Sequence, residues 1–595
     1  MRARVLVMCL LVVPFLVPGV AFADLDAYPK TTLAEDATGY TCPYCPYAYA
    51  GLEVVHSSYD WSEFVSVRYY STSFGGNYST PETVAAIQYY GVTGYPTVVF
   101  NGTENVVGGD ATIAAGGPYL ALVRGPYFDP SPIRIDIDSF NPATGAIQAT
   151  VTMMSATDTL DNDHLRFVLT EDSLPDGHTH VTRDIVNTTI TLSGQGNTAT
   201  FNASFDINPA WVTGNLHAVV FVQRNDLTNP TDREVFQAVS TYPVPDYRVR
   251  AMVPYPRMQM GPSSGVYAGD SFWVHNPGLS DVFTLSLVVD DAPPGWQASY
   301  CDEVGHCYVD PVQFTLGTDE SAGFHVNVIP TSRGTMTYHF EVTSPQTTTP
   351  LSIPFTYFTD DLDVLVVDDD GSEDYENYFT AALDAGGLAY GVWNRADAAL
   401  TPQVAQNYRY LVWFVGEAYP TLNVDDRAFL RDYLDDGRNL FITGQDIGWD
   451  LNASGSNNDP TFYHDYLHAT YINDDTNLYY LNGVAGDPVS DGMVLHIQGG
   501  DGANNQAYPS AIAPYDADAT EIFRYQGGAS PIGAIRSEDS GSHARVVYLA
   551  FGFEAIDNPT DRATMMSRAM GWLRGLIFAD GFEDATTGAW SYVAP

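Results

Sequence analysis

Two cysteines three residues apart, in Cys42-Pro43-Tyr44-Cys45, are the residues here whose type and spacing could do covalent chemistry. A thiolate attacks a disulfide sulfur, and a second thiol one helical turn away can resolve the mixed disulfide that forms. Strand-like residues 31–38 lead into the pair, and apolar Leu52, Val55 and Tyr59 predict a helix over 48–57 behind it. Cys42 is then expected at the helix N-cap, with Pro43 at the first helical position, where proline is favoured. Open N–H groups and the positive end of the helix dipole would lower a thiol pKa there. Strand alternation puts either Glu35 or Asp36 beneath the cysteines, and a buried carboxylate at Asp36 could relay the proton of Cys45. Downstream, Gly91-Val-Thr-Gly-Tyr95-Pro96-Thr97 reads as a turn entering an apolar strand. A proline at a strand start cannot donate to the ladder and is a candidate cis bond.

Those residues carry a resemblance. Cys-x-x-Cys opening a helix, followed by Tyr-Pro-Thr opening a strand, resembles the thioredoxin fold. Cys42-Pro-Tyr-Cys45 is similar to the glutaredoxin active-site tetrapeptide, and residues 92–97 to the cis-proline loop of protein disulfide isomerases. The resemblance implies Cys42 as attacking thiol, Cys45 as resolving thiol, Asp36 as buried acid and Pro96 as the cis-proline shaping a substrate groove with Tyr44, Tyr95 and Thr97. Thr41 stands where many thioredoxins carry Trp. Residues 28–242 also resemble a family of secreted bacterial proteins named for a 28-kDa outer-membrane protein. The match includes Glu35-Asp36, Cys42-Pro-Tyr-Cys-Pro46, Phe167-Val-Leu-Thr-Glu171, His180-Val-Thr-Arg183 and Val219-Val-Phe-Val-Gln223. That family implies an architecture rather than an activity.

The compartment decides how thiols are read. Arg2 and Arg4, an apolar stretch from Val5 to Val20 and Ala21-Phe22-Ala23 read as a signal peptide over 1–23, which takes Cys9 with it. No later run of about 18 apolar residues predicts a membrane span. The mature chain is expected to be secreted or periplasmic, with outer-surface association open to it. In an oxidising compartment the remaining Cys301 and Cys307 are expected to pair as a local structural disulfide. Cys42–Cys45 could equally be an inert structural bond. One Cys-x-x-Cys supplies only two thiolates, so a zinc site is not expected there.

With 72 acidic and 25 basic residues in 595, the formal net charge is -47, and Lys30 is the lone lysine. Such a chain repels polyanions, which excludes nucleic acid as a partner and leaves protein thiols or disulfides. The length predicts several domains. A thioredoxin-like α/β domain is expected over 24–127, a β-sandwich over 128–244 and an Ig-like β-sandwich over 245–358. Alternating runs such as Ile133-Arg-Ile-Asp-Ile137 and Phe283-Thr-Leu-Ser-Leu287, with Gly/Pro turns between them, support the sandwiches. From 359 to 578, apolar strands at Val364-Leu-Val-Val367, 410–415, 439–443 and 546–550 alternate with helices near 375–385, 424–434 and 562–576. That is the pattern of a parallel flavodoxin- or amidotransferase-like sheet. Residues 579–595 read as a tail.

Three further motifs have bland alternatives. Asp368, Asp369 and Asp370 at a strand end suit calcium, and a solvated loop with an aspartate cap accounts for the same run. His464-Asp-Tyr-Leu-His468 has zincin spacing on a helix, but no third ligand is apparent. His178-x-His180 is expected on a strand or surface hairpin. The 359–578 region resembles the class I glutamine-amidotransferase-like fold, yet no cysteine occurs after Cys307, so glutaminase chemistry lacks its nucleophile. Two functions result: a secreted thiol–disulfide oxidoreductase, or a non-enzymatic extracellular or cell-surface scaffold with a structural Cys42–Cys45 bond.

Overall fold

A computed structural model describes residues 26–123, 127–225, 232–253, 257–347, 349–371, 373–453, 457–527 and 530–575. The expected signal peptide and C-terminal tail lie outside the described residues. The chain is multidomain and β-rich.

Strand β1 (Thr32–Thr38) is buried along its whole length, because it lies between β2 (Phe64–Tyr70), parallel to it, and β3 (Thr97–Phe100), antiparallel. β4 (Glu104–Val107) closes this edge as a hairpin with β3. Helix α1 (Cys45–Ser58) covers one face with Ala48, Gly51, Leu52 and Val55, the spacing of a single helical stripe. Gly51 permits a close approach, since a Cβ there would meet the Ile113 carbonyl at 2.2 Å and the Tyr119 ring at 3.0 Å. Leu52→Ala in this fully buried cluster would cost about 2–5 kcal/mol. The opposite face of β1 buries Leu33 and Ala37 against Val65, Val67, Val168 and Phe221. Helix α2 (Pro81–Tyr89) sits there and is started by a capping box between Thr80 and Thr83.

The strand order is not confined to this unit. β5 (Thr159–Glu171), β6 (Val181–Ser193), β7 (Leu216–Gln223) and β8 (Val235–Ser240) continue the same sheet in the order β8-β7-β5-β6-β2-β1-β3-β4. The seam is a single parallel pairing of Val181 with Arg68. A three-stranded sheet (Ile133–Phe140, Ala146–Met153, Thr198–Ser204) packs on the β5–β8 half to make the first sandwich. A second sandwich of a seven- and a five-stranded sheet follows, around Phe272, Phe324, Tyr338 and Phe340. In it, strands Gln297–Asp302 and Cys307–Tyr308 pair antiparallel with Cys301 opposite Cys307, and those two cysteines are disulfide-bonded.

The last region centres on five parallel strands in the order Tyr390–Asn394, Val364–Asp368, Tyr410–Phe414, Asn439–Thr443, Arg545–Leu549. Helices Glu376–Ala385, Val424–Asp435 and Pro559–Leu573 flank it, within three residues of the boundaries read from sequence. The sheet is not wholly parallel. Strands Ile532–Glu538, Ala519–Tyr525, Tyr480–Gly483 and Val494–His496 extend it antiparallel, and hairpins need no crossover helix to do so. Among the described residues, no helix is long and apolar enough to cross a membrane.

Candidate functional site

The helix after the cysteine motif begins at Cys45, with Tyr44 as its N-cap, two residues later than the cap read from sequence at Cys42. The physical reason lies in the two prolines. Pro43 disfavours a helical backbone at Cys42, while Pro46 fits the first turn, where its missing N–H costs nothing. Tyr44 gives no side-chain cap; instead the Cys45 N–H donates to Cys42 Sγ at 3.2 Å. Cys42 therefore still meets the open end of the helix, from just outside it.

Cys42 and Cys45 are disulfide-bonded, with Cα atoms 5.5 Å apart, and each is 5 % exposed. The Tyr95–Pro96 peptide is cis, and Cys42 Sγ lies 3.7 Å from the Tyr95 carbonyl oxygen. Tyr44 is 58 % exposed beside the pair; Tyr95 is half-buried and packs edge-on against Phe74. Thr97 is buried, and its hydroxyl donates to the Gly94 carbonyl at 3.0 Å, so it holds the turn rather than facing a groove.

Alternation along β1 resolves the Glu35/Asp36 ambiguity. Asp36 lines a cavity of about 200 Å3 together with Cys42 and Cys45. Glu35 lies on the other side, hydrogen-bonded by the hydroxyls of Tyr69 and Tyr90. Burial pushes the Asp36 carboxyl up to about 6, and the Arg68 guanidinium opposes that rise. Arg68, paired with Asp36 in the β1–β2 register, places Nε 3.4 Å from Asp36 Oδ2 and Nη2 3.6 Å from Glu53 Oε1. Its guanidinium lies over the Tyr49 ring at 4.0 Å. Asp36 Oδ1 has no hydrogen-bond partner.

Sequence reasoning missed Arg68 and the contribution of the sandwich. An arginine within a largely apolar strand-like run, Phe64-Val-Ser-Val-Arg68-Tyr-Tyr70, was the available signal. His178 and His180 are not on a strand. They lie in the loop before β6, with His178 Nδ1 2.6 Å from the Tyr70 hydroxyl and His180 held by Asp172 and Tyr242. Asp176, Gly177 and His178 form one wall of the disulfide cavity.

The other motifs separate. Asp369 accepts from Trp413 Nε1 at 3.0 Å and is under the influence of Asp426 and Arg395, whereas Asp368 and Asp370 act on each other. Strand alternation sends Asp369 to the opposite side, so the three aspartates do not converge as one ligand set. Burial first, then like charge, pushes Asp368 up to about 6 and Asp370 to about 8. His464 lies on a short helix, Pro460–Asp465, that ends before His468, so the pair does not share a helical face. His464 stacks on Tyr515, and His468 pairs with Asp516 at 2.8 Å. His468, Asp516 and Asp518 are the one group of three such ligating side chains that comes together among the described residues.

No protein-family model matches this sequence, and no curated protein matches it. Among solved structures, the mmIFT52 N-terminal domain is similar at 11 % identity and a TM-score of 0.27, over 36 % of this chain and 99 % of that one. A glutamine amidotransferase from Thermotoga maritima is similar at 12 % identity and a TM-score of 0.22, over 38 % and 87 %. One from Methylobacillus flagellatus is similar at 10 % identity and a TM-score of 0.24, over 36 % and 95 %.

Proposed function

We propose that this protein exchanges thiols and disulfides at Cys42 and Cys45, on a thioredoxin-like unit built from β1–β4, α1 and α2. The observation that carries the reading is the meeting, at one point, of Cys42 Sγ, the Tyr95 carbonyl ahead of Pro96, and the cavity holding Asp36. An extended substrate backbone lying along the Tyr95 edge would bring its sulfur to Cys42. The Cys42 thiolate attacks that sulfur, a mixed disulfide forms, and one substrate thiolate leaves. The Cys45 sulfur then attacks Cys42 Sγ, giving its proton to the Asp36 carboxylate. The mixed bond breaks, the second substrate thiolate leaves, and two electrons have passed to the substrate. The same atoms run in reverse when a substrate dithiol meets the oxidised pair. The cysteines lie in a chain with an expected secretory leader, which supports an extracellular or periplasmic setting.

The near-complete burial of both cysteines favours a second reading, a binding or scaffold protein in which Cys42–Cys45 is a structural bond. Reduction of insulin disulfides by the mature protein and by Cys42→Ser separates them. Equal rates reject exchange. A reduction potential below about -300 mV marks a structural bond, and a more oxidising value supports exchange.

A further inference from the structure

The cavity under the disulfide is walled by two parts of the fold. Asp36, Tyr49, Arg68 and Tyr70 come from the α1 side, and Asp176, Gly177 and His178 from the loop that precedes β6 of the first sandwich. That loop is tied down. Arg68 Nη1 donates to the Thr179 carbonyl at 3.0 Å, the Arg68 N–H to the His180 carbonyl at 3.0 Å, and the Tyr78 hydroxyl to Asp176 at 2.6 Å. Asp36 is 1 % exposed and lines the cavity, and its Oδ1, closed off from solvent, has no hydrogen-bond partner. Asp36 itself is out of contact with bulk solvent, whereas the exposed Asp176 and Gly177 line the cavity beside it. The half-buried imidazole of His178 lines the same space.

We infer that His178 completes the redox site as its proton relay: protons pass from the Asp36 carboxyl, through water in the cavity, to His178 Nε2 and on to solvent or to the leaving thiolate. The inference rests on the exchange reading above and extends it to the sandwich. About 200 Å3 accommodates several waters at roughly 30 Å3 each. The relay assigns the ring proton to Nδ1, which lies 2.6 Å from the Tyr70 hydroxyl oxygen, and so makes Nε2 the basic position; Tyr70 orients the ring. The titratable and charged groups around His178 are Tyr70, Tyr40 and Tyr78, whose rings lie within 5.8 Å of it, together with Asp176 and Arg68. Burial, with Arg68 adding to it and Asp176 opposing, lowers the His178 pKa, so the ring is a neutral acceptor at pH 7. No redox change occurs at the histidine; each turnover moves one proton through it and returns it to its starting state.

The test is insulin reduction by the full chain from pH 6 to 9, comparing wild type, His178→Gln, His339→Gln and Cys42→Ser. His178→Gln should slow turnover by about 10- to 100-fold, leave the reduction potential of Cys42–Cys45 in place, and recover with added imidazole. His339→Gln, which removes an imidazole of the second sandwich that does not line the cavity, should retain the wild-type rate. A Cys42-dependent wild-type rate that His178→Gln does not change overturns the relay and leaves exchange standing. A loss that imidazole does not restore, with a shifted potential, assigns His178 to packing and overturns the relay as well. Absence of any Cys42-dependent reduction removes the exchange reading, and the relay with it.

Discussion

The guanidinium of Arg68 stands 3.4 Å from the carboxylate of Asp36, both almost wholly buried beneath the Cys42–Cys45 bond. The ion pair joins the central strand of the α1 unit to the strand that meets the sandwich, so the electrostatics under the disulfide and the seam between the two units share one side chain. Four expected outcomes follow from this arrangement and from the two disulfides.

Removing Cys42 should abolish exchange, because Cys42 is the attacking thiol beside the Tyr95 carbonyl and Cys45, the first residue of α1, only resolves. Cys42→Ser is expected to lose insulin reduction entirely. Cys45→Ala should instead accumulate a mixed disulfide through Cys42, visible as an added mass that dithiothreitol removes.

Asp36 should make stability fall as pH rises. Its folded pKa, about 6, is above the unfolded value near 3.8, so between those values the native state holds the proton more tightly than the unfolded chain. The neutral form is favoured in the fold, and its contribution is lost as pH passes through 6. The shift corresponds to about 3 kcal/mol across that window. Asp36→Asn should remove the slope; urea unfolding at pH 4 and pH 7.5 measures it.

Arg68→Met leaves Asp36 without its nearest positive charge. Breaking one side of a buried pair costs about 3–5 kcal/mol when the remaining group is ionised. The loss should be larger at pH 7.5 than at pH 4, where Asp36 is neutral. The same denaturation series checks this, and the double variant Asp36→Asn/Arg68→Met should lose the pH dependence.

The Cys301–Cys307 bond closes a short loop between paired strands. In the chain-entropy account, a loop of this length contributes about 2 kcal/mol. Cys301→Ala/Cys307→Ala should lower the unfolding free energy by that amount and leave the insulin assay unchanged. A fall in reductase activity would connect this disulfide to the exchange site instead.

Much of the architecture was legible from periodicity. The parallel strands 364–368, 410–414 and 439–443 announced themselves as short apolar runs, because both of their faces are buried. The antiparallel extension between 480 and 538 did not, since its short strands mix exposed and buried positions over only three to seven residues. The start of α1 was displaced because two prolines, Pro43 and Pro46, both satisfy the rule for a first turn, and only the backbone around Cys42 chooses between them. The histidines His464 and His468 had the right interval for a helical face, but the helix stops at Asp465, so the interval had no geometric meaning.

What the chain itself determined was a set of local facts: a Cys-x-x-Cys ahead of a helix, a Tyr-Pro entering a strand, acids on the preceding strand, and a charge that repels polyanions. Such facts depend on neighbours within a turn or two. Tertiary structure alone decided that Asp36 rather than Glu35 faces the sulfurs, that Arg68 is its partner, and that His178, 136 residues after Cys42, closes the cavity. Those are long-range contacts, set by which strands pair, and spacing along the chain does not encode the pairing.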